Sequence, residues 1–275
     1  MLILKKISQV REFINLQKKA EKKIAFVPTM GALHLGHISL IEKARESAPI
    51  VIASIFVNKA QFNDLNDFKN YPKQVDEDIK KLEFAGVDAV FIPQDDEIFP
   101  DDFAFKIIPT TLVNCLCGAS RAGHFDGVAL ILTKLFNIIN PDFVVLGEKD
   151  FQQVIIVKKL VADLNFNIEI IVAKTKREES GLAMSSRNQR LSEGAKIKAA
   201  QIFKILNEIK ENPKLLEEKK QELLKNGFEK IDYLEIRGEE NLDLIFDFSE
   251  KKSARIFIAI YLENVRLIDN ISINF

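Results

Sequence analysis

Five apolar runs of strand length, at residues 24–27, 50–57, 89–92, 143–146 and 168–172, are continuous rather than alternating. A strand that is apolar on both faces has to be covered on both, and a parallel sheet with helices on either side meets that demand. The segments between the runs, at 37–47, 75–85, 127–139 and 151–164, have the spacing of helices. A doubly wound, Rossmann-like α/β domain follows. The chain is 275 residues long and 47% hydrophobic, enough for one large domain or two ordinary ones. Beyond Lys174 the character changes to a polar stretch at 175–188 and a charge-rich helical region at 195–225. The final segments, 231–236 and 255–262, alternate or are β-branched and suggest a small sheet. These predict a first domain over 1–175 and a smaller α+β C-terminal domain over 176–275.

Several classes of function lose support on composition alone. Lys and Arg number 39 against 40 Asp and Glu, and no basic block or aromatic-interleaved basic stripe occurs, so nothing favours nucleic acid as a partner. Cys115 and Cys117 stand too close for an ordinary disulfide staple and lack the second ligand pair of a structural zinc site. They are expected to be reduced and buried, as in a cytoplasmic protein. Charge interrupts the chain at Lys5 and Lys6, before a signal-peptide core could form, and no run of 18 uncharged apolar residues occurs; neither export nor a membrane is expected. Gly-x-Ser-x-Gly, the Walker lysine loop and Gly-x-Gly-x-x-Gly are absent.

Ligands of doubly wound sheets bind beyond the carboxyl ends of the strands, so the residues just after each run carry the functional reading. After the first comes Pro28-Thr29-Met30-Gly31-Ala32-Leu33-His34-Leu35-Gly36-His37, entering a helix. Unpaired N–H groups at such a turn point at whatever it cradles. Gly31 and Gly36 permit close approach of main chain to phosphate or adenine. His34 and His37, three apart, reach the same side and can donate to phosphate oxygens or balance charge developing on a pyrophosphate. Two histidines at a helix start also serve as caps, and the motif alone leaves both readings open.

Other post-strand segments add polar groups. Asn58 and Gln61 bring two amides suited to a carboxylate or hydroxyl, or alternatively to a local turn. Gly147-Glu148-Lys149-Asp150-Phe151-Gln152-Gln153 opens a helix with a lysine among N-terminal amides, a phosphate-shaped arrangement in which Asp150 can equally be an N-cap. Residues 176–188, with Met184, Ser185, Ser186 and Arg187, combine hydroxyls and cations around Gly181, as a loop that closes over a triphosphate or as a polar linker. Arg121 and His124 precede the 127–139 helix, and none of the three histidines is expected on an apolar core face. No zinc-type ligand spacing occurs, whereas magnesium carried by ATP and water needs none.

Taken in order, residues 28–37, 56–62, 121–125, 147–153 and 184–188 closely resemble the pantothenate synthetase (pantoate–beta-alanine ligase) family over most of the chain. The His-x-Gly-His element is shared with class I aminoacyl-tRNA synthetases and other nucleotidyl transferases, and Met184-Ser185-Ser186-Arg187 looks like this family's version of their Lys-Met-Ser-Lys-Ser loop. The resemblance implies that pantoate attacks the α-phosphate of ATP to give pantoyl adenylate and pyrophosphate, and that beta-alanine then displaces AMP. It implies catalytic roles for His37, His34, Lys149 and Arg187. ATP would be lined by Met30, Gly31, Ala32, Leu33, His34, Leu35, Gly36 and His37, by Gly147, Glu148, Lys149 and Asp150, by the backbone of Lys176, and by Met184, Ser185, Ser186 and Arg187. Pantoate and beta-alanine would fall to Gln61 and Gln153, with Asn58, His124 and Arg121. Mg2+, a homodimer, a cytoplasmic location and a C-terminal domain acting as a lid are implied in the same way. The acidic residues near Glu77 and Asp78 map to a family magnesium site only imperfectly, and the metal ligands stay unassigned. Lys59, Ala122 and Lys176 depart from the family pattern, the first two replacing prolines that would stiffen their loops. Another adenylate-forming enzyme with a different acid, and a nucleotide sensor without turnover, are the competing readings.

Overall fold

A computed structural model describes residues 1–248 and 253–274. Along the chain the elements are β1 (Leu2–Leu4), α1 (Ile7–Lys19), β2 (Ile24–Thr29), α2 (Leu35–Ser47), β3 (Ile50–Ile55), α3 (Leu65–Lys69), α4 (Val75–Phe84), β4 (Ala89–Phe91) and α5 (Asp95–Ile98). They continue with α6 (Leu116–Ser120), α7 (His124–Ile139), β5 (Phe143–Gly147), α8 (Phe151–Asp163), β6 (Glu169–Ala173), α9 (Glu193–Ala199), α10 (Gln201–Glu211), α11 (Leu216–Lys225), β7 (Lys230–Gly238), β8 (Ser253–Leu262) and β9 (Val265–Asn274). Among the described residues no helix is long and apolar enough to cross a membrane.

Two compact units emerge. The first comprises Met1–Pro109, Ala122–Glu148 and Ile156–Lys174; the second comprises Thr110–Arg121, Lys149–Ile155 and the chain from Thr175 onward. In the first, the five apolar runs are β2 to β6 of a parallel sheet ordered β1-β4-β3-β2-β5-β6. Successive residues of β2 alternate between faces. Ala25 and Val27 pack with Ile41 and Ala44 of α2 and Leu82 of α4, and the intervening Ile24 and Phe26 are equally buried. The expected doubly wound α/β class is what the chain forms. Chain order runs outward from β2 through β3 to β4, then returns to β5 on the other side of β2. The topological switch therefore lies between β2 and β5, beyond whose carboxyl ends a ligand crevice is expected.

The short helices α3 and α5 of this unit, and its first two elements, fall outside the expected runs. The edge strand β1 is three residues long, and α1 hides an ordinary amphipathic pattern in which Val10 and Ile14 are buried one turn apart. Helix α7 begins at His124, three residues before its apolar spacing. Gly123 at φ +77° supplies the turn into it, and Asn140 at φ +45° ends it.

The second unit is built on an antiparallel sheet ordered β7-β8-β9. Strand β9 was not anticipated, and the helical region 195–225 is divided among α9, α10 and α11. One sheet face, with Ile256, Ile258, Ile260 and Leu267, packs on Ile202, Ile205 and Leu206 of α10. The other face meets the two short segments taken from earlier in the chain. The Tyr233 hydroxyl lies 3.1 Å from Cys117 Sγ, and the Phe257 ring lies 6.1 Å from that of Phe151. Coverage on both sides explains why β8 is buried along nearly its whole length rather than at alternate residues. Neither cysteine is in a disulfide; Cys117 is buried and Cys115 half-buried.

Gly127 shows how tightly α7 is seated. A Cβ there would lie 2.3 Å from the Ala60 carbonyl oxygen and 2.5 Å from Gln61 N, so the helix touches the backbone after β3. Gly127→Ala in a helix ordinarily stabilises by about 1 kcal/mol. Here, overpacking against main chain is expected to reverse the sign and destabilise by about 1–3 kcal/mol, read as a lowered melting temperature. A raised melting temperature would show that the 58–61 segment yields freely.

Candidate active site

The loop after β2 is held from beneath. Gly31 has φ +82° and Ala32 φ +50°, a left-handed pair. For alanine that conformation costs roughly 1–2 kcal/mol. It turns two consecutive N–H groups toward α4, where Asp78 Oδ2 accepts from Ala32 N and Oδ1 from Leu33 N, both at 2.7 Å. Lys81, one turn further along α4, donates to the Leu33 carbonyl at 2.8 Å, and the Thr29 hydroxyl accepts from Gly31 N at 3.2 Å. Asp78 is fully buried, and burial raises its carboxyl above the ordinary range while the two N–H groups and Lys81 pull it back down. The raised value means that ionised Asp78 subtracts from stability as pH rises through it. Its contribution is to the geometry of the loop. A Cβ on Gly31 would stand 3.0 Å from Asp78 Oδ2, so this contact also leaves little room for any other residue there.

That geometry delivers the two imidazoles. His34 is the N-cap of α2, its Nδ1 accepting from Gly36 N at 3.1 Å; His37 Nδ1 accepts from His34 N at 3.3 Å. A backbone N–H can only donate, so both rings accept at Nδ1, and the neutral tautomer carries its proton at Nε2. The rings lie 4.1 Å apart between centroids. Capping and ligand binding thus do not compete: one nitrogen caps, and the other is a donor. Gly36, by contrast, is an ordinary helical residue of α2.

Beyond β3 the amides have unequal roles. Asn58 is buried, with Oδ1 accepting from Ala60 N at 3.3 Å and Nδ2 donating to the Gly127 carbonyl and to Gln61 Oε1, each at 3.0 Å. These partners orient the Asn58 amide and use it as a brace for Gln61. With Oε1 turned to Asn58, Gln61 presents Nε2, 2.8 Å from Met30 Sδ, as a donor. His124 corrects one expectation, because it is buried at the start of α7, with Nδ1 donating to the Gln61 carbonyl at 2.7 Å. It fixes the Gln61 main chain while Asn58 fixes the side chain. Lys59 is exposed in the 3-10 turn 59–61, and Ala122 is exposed beside Gly123; neither loop is without hydrogen bonds.

Residues 148–150 form a 3-10 turn after β5, leading into α8. Lys149 is half-buried with Nζ 3.9 Å from Asp150 Oδ2, and its carbonyl accepts from Asn270 Nδ2 at 2.8 Å. Gln153 is half-buried on the first turn of α8. Its neighbour Gln152 is buried, accepting from Cys117 N at 2.9 Å and donating to the carbonyls of Leu112 and Cys115. Arg121 is half-buried, just past α6.

The polar stretch after Lys174 is a short hairpin. Arg177 bridges Ala183, Glu178 N donates to the Leu182 carbonyl, and Met184 N donates to the Lys176 carbonyl at 3.0 Å. Leu182 and Ala183 are buried, so the apolar pair anchors the hairpin instead of floating in a linker. Met184, Ser185 and Arg187 are half-buried just beyond it; Ser185 caps a 3-10 turn over Ser186–Arg190 through the Arg187 N–H, and Ser186 is buried. Asn188 donates to Glu178 Oε1 and to the Ala183 carbonyl, closing the hairpin on itself.

Asp78 and Lys81 were not recognised beforehand as the support of the loop. A signal existed: Asp78 lies one helical turn from buried Leu82, a carboxylate on the apolar stripe of its helix. With both oxygens bonded to loop N–H groups and Glu77 exposed, Asp78 acts as a brace. Among the described residues no group of three or more His, Cys, Asp and Glu side chains gathers as for a metal ion.

Comparison with known proteins covers the whole architecture. The profile of a family described as pantoate-beta-alanine ligase matches residues 2–272. The chain is 43% identical to pantothenate synthetase of Cytophaga hutchinsonii, across 99% of both chains, and 44% identical to that of Desulfitobacterium hafniense, across 98% of both. Crystal structures agree. That of pantothenate synthetase from Thermus thermophilus superposes with a TM-score of 0.91 at 35% identity, covering 98% of this chain and 99% of the other. Pantoate-beta-alanine ligase from Francisella tularensis, complexed with beta-gamma ATP and beta-alanine, gives 0.87 at 41% identity, covering 98% and 97%.

Asp78→Asn tests the brace. One of two N–H groups would then face an amide NH2, leaving a donor unmatched at a cost of about 1–3 kcal/mol, partly offset by removal of the buried charge. The expected result is a small change in melting temperature together with at least about tenfold loss of activity, because the loop that carries His34 and His37 would be displaced, and small misplacements of groups at a reacting centre are costly. Unchanged turnover would show that His34 and His37 keep their positions without it.

Proposed function

The chain belongs to the pantoate-beta-alanine ligase family, and from that premise we propose how its residues divide the work of joining pantoate to beta-alanine at the expense of ATP. In the first step a pantoate carboxylate oxygen attacks the α-phosphorus, the bond to the bridging oxygen breaks, and pyrophosphate leaves. In the second the neutral amine of beta-alanine attacks the acyl carbon, the bond to the AMP oxygen breaks, and the amine proton is released. Neither step needs covalent help from protein; both need aligned reactants and charge stabilisation.

The observation that carries the reading is the pair of Nε2–H imidazoles at the switch point of the sheet, both with Nδ1 committed to backbone. Donors held at fixed positions stabilise charge on a leaving pyrophosphate without reorganising during reaction. His37 and His34 take that role with Lys149 and Arg187 as fixed cations. Main chain of residues 30–37 and 147–150, that of Lys176, and Met184, Ser185 and Ser186 line ATP. Gln61, braced as a donor, receives a pantoate oxygen, with Gln153 and Arg121 as further contacts. Asn58 and His124 serve the acid through Gln61, a role that their hydrogen bonds support better than direct contact.

We infer that Mg2+ travels on the triphosphate, with phosphate oxygens and water as its ligands. When bound it supplies further charge neutralisation. Residues from Thr175 onward are proposed to act as a lid, and the enzyme as a cytoplasmic homodimer; family membership supports both.

Pyrophosphate release from pantoate and ATP should occur without beta-alanine, in one burst per active site, and turn over when beta-alanine is added. Turnover only with a different acid would reject pantoate, and ATP binding without release would mean a sensor. His37→Ala and Lys149→Ala should each slow the burst by about a hundredfold or more while leaving the fold intact. Near-normal bursts would reject their roles.

A further inference from the structure

We propose that Asp269 and Asn270, adjacent on β9, are positioning residues for the adenylation step: one fixes the hairpin that leads into Met184, and the other fixes the main chain of Lys149. The proposal rests on the reading of Lys149 and residues 184–187 as ATP ligands. It adds two residues that neither the motifs nor the comparisons single out.

Asp269 is out of place for a sheet residue. Val265, Leu267 and Ile273 of β9 point into the apolar core beneath α10, and by the two-residue period Asp269 shares their face. It is 5% exposed. What meets it there is Arg177, the first paired residue of the hairpin, in a two-pronged contact at 2.6 and 2.9 Å. The same guanidinium donates to the Gly181 carbonyl at 3.1 Å and lies 3.8 Å from the centre of the Phe203 ring. A buried ion pair adds little stability over an apolar pair of equal volume, so its contribution here lies in specifying geometry. A guanidinium bonded at both prongs, at a hairpin carbonyl and against a ring has one place to sit. Through the Arg177–Ala183 bridge that place is passed to Met184.

Asn270, on the opposite face, donates to the Lys149 carbonyl at 2.8 Å and accepts from Arg255 Nη1 at 2.5 Å. Arg255 is held by Glu239 at 3.0 Å and lies 4.0 Å over the ring of Phe151, two residues beyond Lys149. The two arms are joined, since Asp269 Oδ1 also accepts from Asn270 N at 2.8 Å. One dipeptide therefore holds two separate stretches of the proposed ATP site.

The test is a double-mutant cycle read on the two half-reactions. Asn270→Ala should slow pyrophosphate release from pantoate and ATP by about tenfold or more, the scale of a misplaced catalytic group. Aminolysis of supplied pantoyl adenylate by beta-alanine should change much less. In a Lys149→Ala background, Asn270→Ala should add little, because it acts through Lys149. Equal losses in both half-reactions, or effects that multiply in the double variant, would overturn the positioning role and indicate general destabilisation. Should Asn270→Ala not fold, Arg177→Lys keeps the charge and loses the fork; it should raise the KM for ATP while sparing aminolysis, and an unchanged KM overturns the Asp269 arm. A Lys149→Ala variant with a normal burst would instead refute the ATP-site reading itself.

Discussion

The first unit's site hangs on one buried carboxylate. Without Asp78, residues 31–33 would leave two N–H groups unpaired in a buried setting, and a left-handed alanine would have nothing to offset its cost. With it, the chain leaves β2, reverses in three residues and enters α2 with His34 already in the capping position. Capping then selects the tautomer: the imidazole nitrogen that accepts from the helix start leaves the other as the donor. A structural bond in α4 thereby reaches the two imidazole donors through a sequence of local consequences, each with a hydrogen bond behind it. It also explains why Gly31 is glycine, since the carboxylate occupies the space into which a Cβ would project.

Much of the scaffold was legible because continuous apolar runs have few solutions. Residues 24–27, 50–57, 89–92, 143–146 and 168–172 each correspond to a strand of the parallel sheet, with ends shifted by one or two residues. β1 carries too little pattern in its three residues before Lys5 and Lys6, and in β9 Asp269 and Asn270 interrupt the alternation. The motifs were legible as chemistry, but the division of labour within them was not. Asn58 and Gln61 look equivalent in sequence; only folding shows that Gly127, 69 residues from Asn58, accepts from one and so turns it into a brace for the other. His124 followed the same logic, a polar residue in a glycine-containing loop whose ring goes to the Gln61 carbonyl. Contacts between residues so far apart leave no periodic trace.

The second unit draws on three stretches of chain: 110–121, 149–155 and the residues from Thr175 onward. Within it β8 is buried on both faces, and α10 covers only one of them. The other is completed by 110–121 and 149–155, through Cys117 against Tyr233 and Phe151 against Phe257. A strand buried on both faces of an antiparallel sheet needs a second cover, and segments from earlier in the chain supply it here.

That demand bears on how Lys149 is placed. Residues 149–155 lead from a 3-10 turn into the first turns of α8; on a solvated sheet face Lys149 would be a surface lysine with its main chain set by that helix alone. Docked on the sheet, the segment presents the Lys149 carbonyl to Asn270 and the Phe151 ring to both Arg255 and Phe257. Its position then depends on the register of β8 against β9, which sets Phe257 opposite Asn270. Register in a sheet buried on both faces is strongly specified, since a slip of one residue would send Asp269 and Asn270 to the wrong sides and put an isoleucine in the place of one of them. The main chain of Lys149 is thus tied to the buried sheet of its own unit through Asn270, and Asp269 stands beside it as a charged residue within the apolar face.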